Sequence, residues 1–242
     1  MKTALVLGGG GMFGAYQAGA WHALADWWRP DLVVGASIGS LNGWAVASGV
    51  DADEWIEEWR NPRAAARRGW RWPKAWWDSV VDPEPFERYV RALTERATPR
   101  VGYAAVVTEW PRLHKRIHAW PQANWRHIVA SCALPGLLPQ YRIDGRRTSD
   151  GGLLGALPLW AAAQLGATHI VGVGLLGTGG DWRGARPGGV QALVLERPRR
   201  LGSWREMFVW SRENTDRWIR MGREDAAAAR ETISRLLCFE AQ

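Results

Sequence analysis

The chain has 242 residues, of which 47% are hydrophobic and 23% charged, a globular balance that excludes disorder over most of its length. The length fits one domain with a small insertion and excludes two full-size α/β domains. A formal net charge of +7 favours anionic partners such as phospholipid head groups, nucleic acid or acidic metabolites.

The sequence shows no apolar run long enough for a transmembrane helix and no signal-peptide pattern. Its two cysteines, Cys132 and Cys238, lack metal-ligand spacing and suit a reducing compartment, where we expect them to be small core residues. We therefore expect a cytoplasmic protein that uses no metal and no organic cofactor.

In chain order, the patterns of strand and helix alternate. Lys2–Leu7 and Asp31–Val34 are predicted to be short buried strands, each followed by a glycine turn and then by a helix, over Met12–Trp28 and Ser40–Ser48. This alternation predicts an α/β protein with a mainly parallel sheet. Further helices are expected over Pro83–Ala97, Trp125–Ala133 and Pro158–Leu165, further strands over Val101–Thr108, Leu113–Trp120, His169–Leu175 and Val190–Leu195, and one long or two shorter helices over Trp204–Leu237.

The most informative motif is Gly35-Ala36-Ser37-Ile38-Gly39, which lies between a predicted strand and a predicted helix. In this context G-x-S-x-G is typical of a nucleophile elbow. Gly35 and Gly39 would let strand and helix pass closely, and the Ser37 hydroxyl would stand at the carboxyl edge of the sheet. The alternative is a tight turn in which Ser37 only caps the helix.

A second motif follows the first strand: Gly8–Gly11 together with Gly14. It matches the dinucleotide-binding pattern through Gly9, Gly11 and Gly14, but the expected acidic residue at the end of the second strand is missing. The same glycines at a helix N-terminus would direct backbone N–H groups at an oxyanion. Nucleotide binding and an oxyanion hole are therefore the two alternatives for this loop.

Activation of Ser37 requires a base. The last histidine, His169, lies within an apolar strand and is better explained as a core residue. Asp150 is the better candidate, because Gly151 and Gly152 follow it in a predicted turn and burial would raise its pKa. The alternative is an ordinary Asp-Gly turn.

The order and spacing of these three motifs resemble those of the patatin-like phospholipases, over about residues 2–175. The resemblance implies a three-layer α/β/α fold and ester hydrolysis of lipids through an acyl-enzyme. It also implies a Ser37–Asp150 dyad without histidine and an oxyanion hole from the N–H groups of Gly10 and Gly11, with Gly9 as a further donor. A competing hypothesis is a catalytically inactive lipid-binding adaptor.

One residue departs from the family pattern. Phe13 stands where the family usually has arginine or lysine, just before the last glycine of the loop. If that cation helps to hold a phosphate, this protein would favour neutral esters. Phe13 and Met12 would also make the rim of the site more apolar.

We expect a single domain over residues 1–242. Its core spans about residues 2–200, with a Trp/Arg-rich helical insertion at about 51–98 and a C-terminal helical segment at about 203–238. The Trp/Arg-rich part, Trp55–Trp77, suits a lid or peripheral membrane contact, since tryptophan and arginine favour lipid interfaces. Alternatively, Trp55 and Trp59 pack on the core. Nucleic acid is not an expected partner, and the oligomeric state is left open.

Overall fold

The computed structural model describes residues 1–61, 80–197 and 200–237. Its eight-stranded sheet comprises Thr3–Leu7 (β1), Leu32–Ala36 (β2), Gly102–Glu109 (β3), His114–Ala119 (β4), Arg142–Ile143 (β5), Arg146–Ser149 (β6), His169–Val173 (β7) and Gln191–Leu195 (β8). The helices are Gly14–Leu24 (α1), Ile38–Ala47 (α2), Ala52–Arg60 (α3), Glu84–Arg96 (α4), Trp125–Ser131 (α5), Leu159–Gln164 (α6), Trp204–Phe208 (α7), Arg212–Ala228 (α8) and Arg230–Leu236 (α9).

The order of hydrogen-bonded strands is β5-β6-β3-β2-β1-β7-β8. Strand β4 also pairs with β3, on the edge opposite to the one that β2 and β6 share. Strands β3, β2, β1, β7 and β8 run parallel, whereas β4 and β6 are antiparallel to β3. This confirms the predicted mainly parallel sheet.

Alternate side chains of the central strands enter two separate cores, as the period of two in a strand requires. Leu5 and Val33 face a large core formed with α1, α2 and α8. Ala4 and Val34 face a smaller core formed with α6. Helices therefore cover both faces of the sheet, which confirms the expected three-layer α/β/α arrangement.

Two local expectations are corrected, and one element was missed. Helix α1 begins only at Gly14, because Gly11–Phe13 form a 3-10 turn. The C-terminal segment forms three helices instead of one or two, since Ser203 and Ser211 each cap a new helix. The β5–β6 hairpin was not predicted, because its polar sequence lacks the apolar alternation of a strand.

The register at β3 determines where the two motif-bearing turns meet. β2 ends with Ala36 opposite Val106, and β6 pairs with the next part of β3, at Thr108 and Glu109. Because β4 occupies the other edge of β3 over these residues, β2 and β6 share one edge. The residues that follow β2 and β6 are Ser37 and Asp150, so both arrive at the same level of the sheet.

Candidate active site

Ser37 occupies the sharp turn between β2 and α2. Its backbone has φ 54° and ψ −132°, a left-handed value that non-glycine residues rarely adopt. The Ser37 N–H donates to Ser131 Oγ at 2.9 Å, and the Ser37 carbonyl accepts from the N–H and Oγ of Ser40 at 2.8 and 2.7 Å. These bonds hold a strained conformation of the kind that clusters at functional sites.

Two glycines make this turn possible by permitting backbone contact. A Cβ on Gly35 would lie 2.2 Å from the Gly39 carbonyl oxygen, and a Cβ on Gly39 would lie 2.2 Å from the Leu7 carbonyl oxygen. Both distances are far below a van der Waals contact. The strand and helix can therefore cross beside β1 only if both positions lack a side chain.

Asp150 begins the turn after β6 and is 5% exposed. Its N–H donates to the Ala133 carbonyl at 2.9 Å, and its own carbonyl accepts from Thr108 Oγ1 at 2.9 Å. The following residue, Gly151, passes so close to β3 that an added Cβ would lie 1.9 Å from the Val106 carbonyl oxygen. The D-G-G sequence is therefore fitted against the sheet and is more than a solvent-exposed turn.

The two side chains meet directly. Ser37 Oγ donates to Asp150 Oδ2 at 2.6 Å, and Gly152 N–H donates to Asp150 Oδ1 at 2.7 Å. Burial raises the pKa of Asp150 to about 6, while these two hydrogen bonds oppose the rise. A carboxylate with this pKa is a better proton acceptor near neutral pH than an ordinary aspartate.

The charge of a buried lysine, Lys115, acts on Asp150. This residue was not identified from the sequence. Lys115, on β4, has a side chain only 2% exposed, and its Nζ donates to Asp181 Oδ2 at 2.8 Å and to the Gly155 carbonyl at 2.7 Å. Burial lowers the pKa of Lys115, and its positive charge lowers the pKa of Asp150. The lysine thus anchors the turn that follows Asp150 and adjusts the acidity of that carboxyl.

The glycine loop supplies amides at the same site. Among the residues that the structure describes, the N–H groups of Gly10 and Gly11 donate to no protein acceptor, whereas the Gly9 N–H donates to the Ala156 carbonyl at 2.9 Å. This bond counts against Gly9 as an oxyanion donor and favours Gly10 and Gly11 for that role. Gly9 instead allows close approach, because a Cβ there would lie 3.0 Å from Ser37 Cβ.

The expectation for Phe13 is also corrected. The 3-10 turn directs its ring inward, where it is 1% exposed and packs edge-on against Trp218 at 5.0 Å between ring centroids. Only Met12 of the pair lines the site. Gly14 lies beneath the loop, where a Cβ would lie 2.7 Å from the Ile38 side chain and 2.8 Å from the Trp59 ring.

Ser37 and Asp150 open into a cavity of about 330 Å³, which also receives Gly10 and Gly11. This volume is in the range of small-molecule sites. The residues that extend the cavity beyond the dyad are mainly apolar, and include Ile38, Leu41, Phe86, Leu137, Leu176 and Met207. Such a wall suits a hydrocarbon chain better than a polar ligand.

The tryptophans of the cavity wall are connected to the glycine loop by buried polar groups. Asn42 Oδ1, on α2, accepts from the indole N–H groups of Trp55 and Trp59, each at 3.0 Å. Asn42 Nδ2 donates to Gln17 Oε1 at 2.8 Å, and Gln17 Nε2 donates to the Gly8 carbonyl at 2.8 Å. Sequence reasoning missed this network, since nothing local distinguishes Asn42 from a surface residue.

The burial of Trp55 and Trp59, at 2% and 7% exposed, supports their packing on the core. They are therefore not available for membrane contact. The part of the Trp/Arg-rich segment that follows Asn61, residues 62–77, lies outside the described residues, as does Cys238. Cys132 lines the cavity instead of the core.

Within the ranges that the structure describes, no helix is long and apolar enough to cross a membrane.

Known proteins resemble this chain over the region that carries the site. The family model for the patatin-like phospholipases matches residues 5–163. Lysophospholipase NTE1 of Debaryomyces hansenii is 31% identical over 71% of this chain. Human patatin-like phospholipase domain-containing protein 6 is 30% identical over 70% of it.

The matched regions make up only 12% and 13% of those two relatives, so the chain corresponds to a small part of their length. The crystal structure of VipD from Legionella pneumophila matches 96% of this chain and 67% of its own, with a TM-score of 0.54 and 12% identity, which supports the fold. The family model spans about two thirds of the sequence and includes Ser37 and Asp150. The chain therefore belongs to the patatin-like phospholipase family.

Proposed function

We propose that this protein hydrolyses carboxylic esters of lipids, with Ser37 as nucleophile and Asp150 as its general base. The observation that carries the proposal is the 2.6 Å hydrogen bond between Ser37 Oγ and Asp150 Oδ2 at the end of an apolar cavity. Family membership supports the same reaction class, and the similar lysophospholipase supports a lipid substrate.

In the proposed reaction, Ser37 Oγ attacks the ester carbonyl as its proton passes to Asp150. The N–H groups of Gly10 and Gly11 stabilise the negative charge that develops on the carbonyl oxygen, each contributing on the order of 3 kcal/mol. Asp150 then gives the proton to the departing alcohol, which leaves an acyl group on Ser37. A water molecule then attacks this ester as its proton passes to Asp150. Asp150 returns that proton to Ser37 Oγ as the acyl–oxygen bond breaks, which releases the fatty acid and restores both residues.

The chemistry of the cavity wall suits a lipid ester. The acyl chain would occupy the apolar cavity, where each buried CH₂ contributes about 0.8 kcal/mol. In the described part of the cavity wall, the Lys, Arg, His, Asp and Glu side chains are limited to three carboxylic acids, Glu58, Asp82 and Asp150. They favour the placement of any phosphate outside the cavity, and they agree with a neutral ester bond as the group that enters.

The test uses a fluorophosphonate probe, which reacts with activated serines, and a p-nitrophenyl ester. We expect the wild type to be labelled, Ser37→Ala not to be labelled, and Asp150→Asn to lose at least about 100-fold in ester turnover. Ser48→Ala, at the other end of α2, is the control and should match the wild type. Equal labelling of wild type and Ser37→Ala would reject the nucleophile, and full turnover in Asp150→Asn would reject the base.

Two alternatives predict different results. A nucleotide-binding protein that uses Gly9–Gly14 would be stabilised thermally by nucleotide and would not turn over the ester. The Gly9 N–H, already bonded to Ala156, counts against that use of the loop. A catalytically inactive lipid-binding adaptor would bind liposomes without labelling of Ser37.

A further inference from the structure

Exposed apolar side chains are concentrated around the entrance of the cavity. Six large hydrophobic residues are exposed in the described ranges, and four of them form what we call the apolar rim: Leu153, Leu154, Trp204 and Val209. Leu153 and Trp204 line the cavity, while Leu154 and Val209 are the chain neighbours of lining residues. A patch of this kind beside a site marks an interaction surface.

The apolar rim adjoins both the turn after Asp150 and the glycine loop of the site. Leu153 and Leu154 lie in the turn that begins at Asp150. Trp204 belongs to α7, which rests on the glycine loop: a Cβ on Gly11 would lie 2.4 Å from the Met207 carbonyl oxygen. A surface that bound these residues would therefore adjoin the dyad directly.

Helix α7 is capped at its N-terminus and buried on one side, and it exposes Trp204 to solvent on the other. Ser203 Oγ accepts from the Glu206 N–H, and Glu206 Oε2 accepts from the Ser203 N–H, so the helix has a complete capping box. Met207 is buried at 7% exposed, while Trp204 is 59% exposed. The helix is thus held from one side while a large aromatic ring stays in solvent on the other.

Positive charge accompanies the rim. Arg200 and Arg205 are exposed, and the Arg200 guanidinium lies 5.1 Å from the centre of the Trp204 ring. In the described part of the chain neither arginine forms an ion pair with a carboxylate. Tryptophan at the boundary of water and hydrocarbon, with arginine toward anionic head groups, is a chemistry that matches a lipid surface. A symmetric contact between the rims of two copies would bring these like-charged arginines together, whereas an anionic lipid surface supplies the opposite charge.

We propose that the apolar rim docks the protein on a lipid surface that contains anionic head groups, so that an acyl chain enters the cavity without crossing water. This inference rests on the proposed function. The docking surface is distinct from the Trp/Arg-rich segment, because it is built from the turn after Asp150 and from α7.

The experiment measures cosedimentation of the full chain with vesicles of phosphatidylcholine, alone or mixed with phosphatidylglycerol. Arg205→Glu should weaken binding to the mixed vesicles by about tenfold. Leu154→Asp with Val209→Asp should weaken binding to both kinds by at least about tenfold. The matched control is Arg126→Glu, an exposed arginine beside Trp125, whose guanidinium lies 5.9 Å from that ring. The control should bind like the wild type.

Equal losses in Arg126→Glu and Arg205→Glu would overturn the proposal, since total charge alone would then explain binding. So would rim variants that bind like the wild type. A dimer in light scattering that Leu154→Asp with Val209→Asp dissolves would instead assign the rim to a second copy of the chain. If the double variant does not fold, Arg205→Glu still decides.

A soluble p-nitrophenyl ester separates this proposal from the proposed function. In Arg205→Glu we expect the ratio of vesicle hydrolysis to soluble-ester hydrolysis to fall by about tenfold. The wild type could bind vesicles through the apolar rim and yet not hydrolyse the soluble ester. That result would reject the proposed hydrolase activity and support the proposed docking surface. Normal hydrolysis with an unchanged ratio would reject the docking surface alone.

Discussion

The hydroxyl and the carboxyl of the dyad are 2.6 Å apart, yet the chain holds them by different means. Ser37 is held by its own turn and by backbone contact with β1, through positions 35 and 39 that admit no side chain. Ser37 also receives one distant side chain, through its N–H bond to Ser131 Oγ. Asp150 has a backbone bond to Ala133, but it depends further on distant side chains, those of Thr108 and, through the following turn, Lys115. We call these the backbone-held half and the side-chain-held half.

This difference predicts which property a mutation in each half will change, folding stability or the pKa of Asp150. Backbone contacts do not adjust to an added atom, so changes in the backbone-held half should affect folding. Side-chain contacts act on charge, so changes in the side-chain-held half should shift the pKa of Asp150. Variants of Gly39 and Lys115 test this division directly, and variants of Asn42 and Asp150 test buried polar groups beside it.

The largest effect is expected at Gly39. In Gly39→Ala the new Cβ would lie 2.2 Å from the Leu7 carbonyl oxygen, and we expect a loss of about 4 kcal/mol or more in the free energy of unfolding. The control is Gly43→Ala, one turn later in α2, where the nearest atom to the Cβ would be the Val33 side chain at 3.3 Å. Urea unfolding measures the free energy of unfolding of both variants. Equal stability of the two variants would contradict backbone control of this half.

Asn42 is expected to have the next largest effect. Asn42→Leu would leave the indole N–H groups of Trp55 and Trp59 without their acceptor, at a cost of about 3 kcal/mol. Ser48→Ala, at the residue that follows α2, is the control, because the buried Ser48 hydroxyl has no hydrogen-bond partner in the described chain. Denaturant unfolding should show the loss in Asn42→Leu and little change in Ser48→Ala.

A stabilising change is expected at Asp150. Its folded-state pKa of about 6 lies above the ordinary value of 3.8, so the folded protein binds this proton more readily than the unfolded chain. The cost of the buried charge is therefore absent below about pH 4 and fully present above pH 6. Asp150→Asn should stabilise the protein by about 3 kcal/mol at pH 8.

Thermal unfolding at pH 8 and pH 4 checks this prediction, and the gain should nearly vanish at the lower pH. The side-chain amide oxygen that Asp150→Asn introduces would still accept from the Gly152 N–H, so the turn keeps its bond. Asp26→Asn, at an exposed position, serves as the control and should change little. A gain that is equal at both pH values would show that burial of the charge is not its cause.

The smallest effect is expected at Lys115. Because its charge lowers the pKa of Asp150, Lys115→Met should move the acid limb of kcat/KM to higher pH. We expect a loss of roughly a few-fold at pH 6 and little change at pH 8. Arg116→Met is the control, since Arg116 is the next residue on β4 and pairs with Glu109 at 2.6 Å. A parallel loss at both pH values would indicate disruption of the turn without a charge effect.

The sequence was most informative where structure is local. The strand, turn and helix around Ser37 lie within a short stretch, so glycine spacing and apolar runs were enough to predict them. The prediction of Asp150 as the partner depended on the Gly151-Gly152 turn that follows it, and then on the order of motifs along the chain. The structure brings the two side chains into contact, and their catalytic roles stay a prediction.

Tertiary contacts decided the rest. Whether the Gly9 amide was free depended on Ala156, far along the chain, and the direction of Phe13 depended on packing against Trp218. The burial of Lys115 likewise depended on Asp181 and Gly155. A sequence determines which backbone shapes each residue tolerates, because that is local sterics. The partner of a donor or a charge is fixed only when distant segments pack together, since its hydrogen bonding and desolvation are set by neighbours that local sequence does not specify.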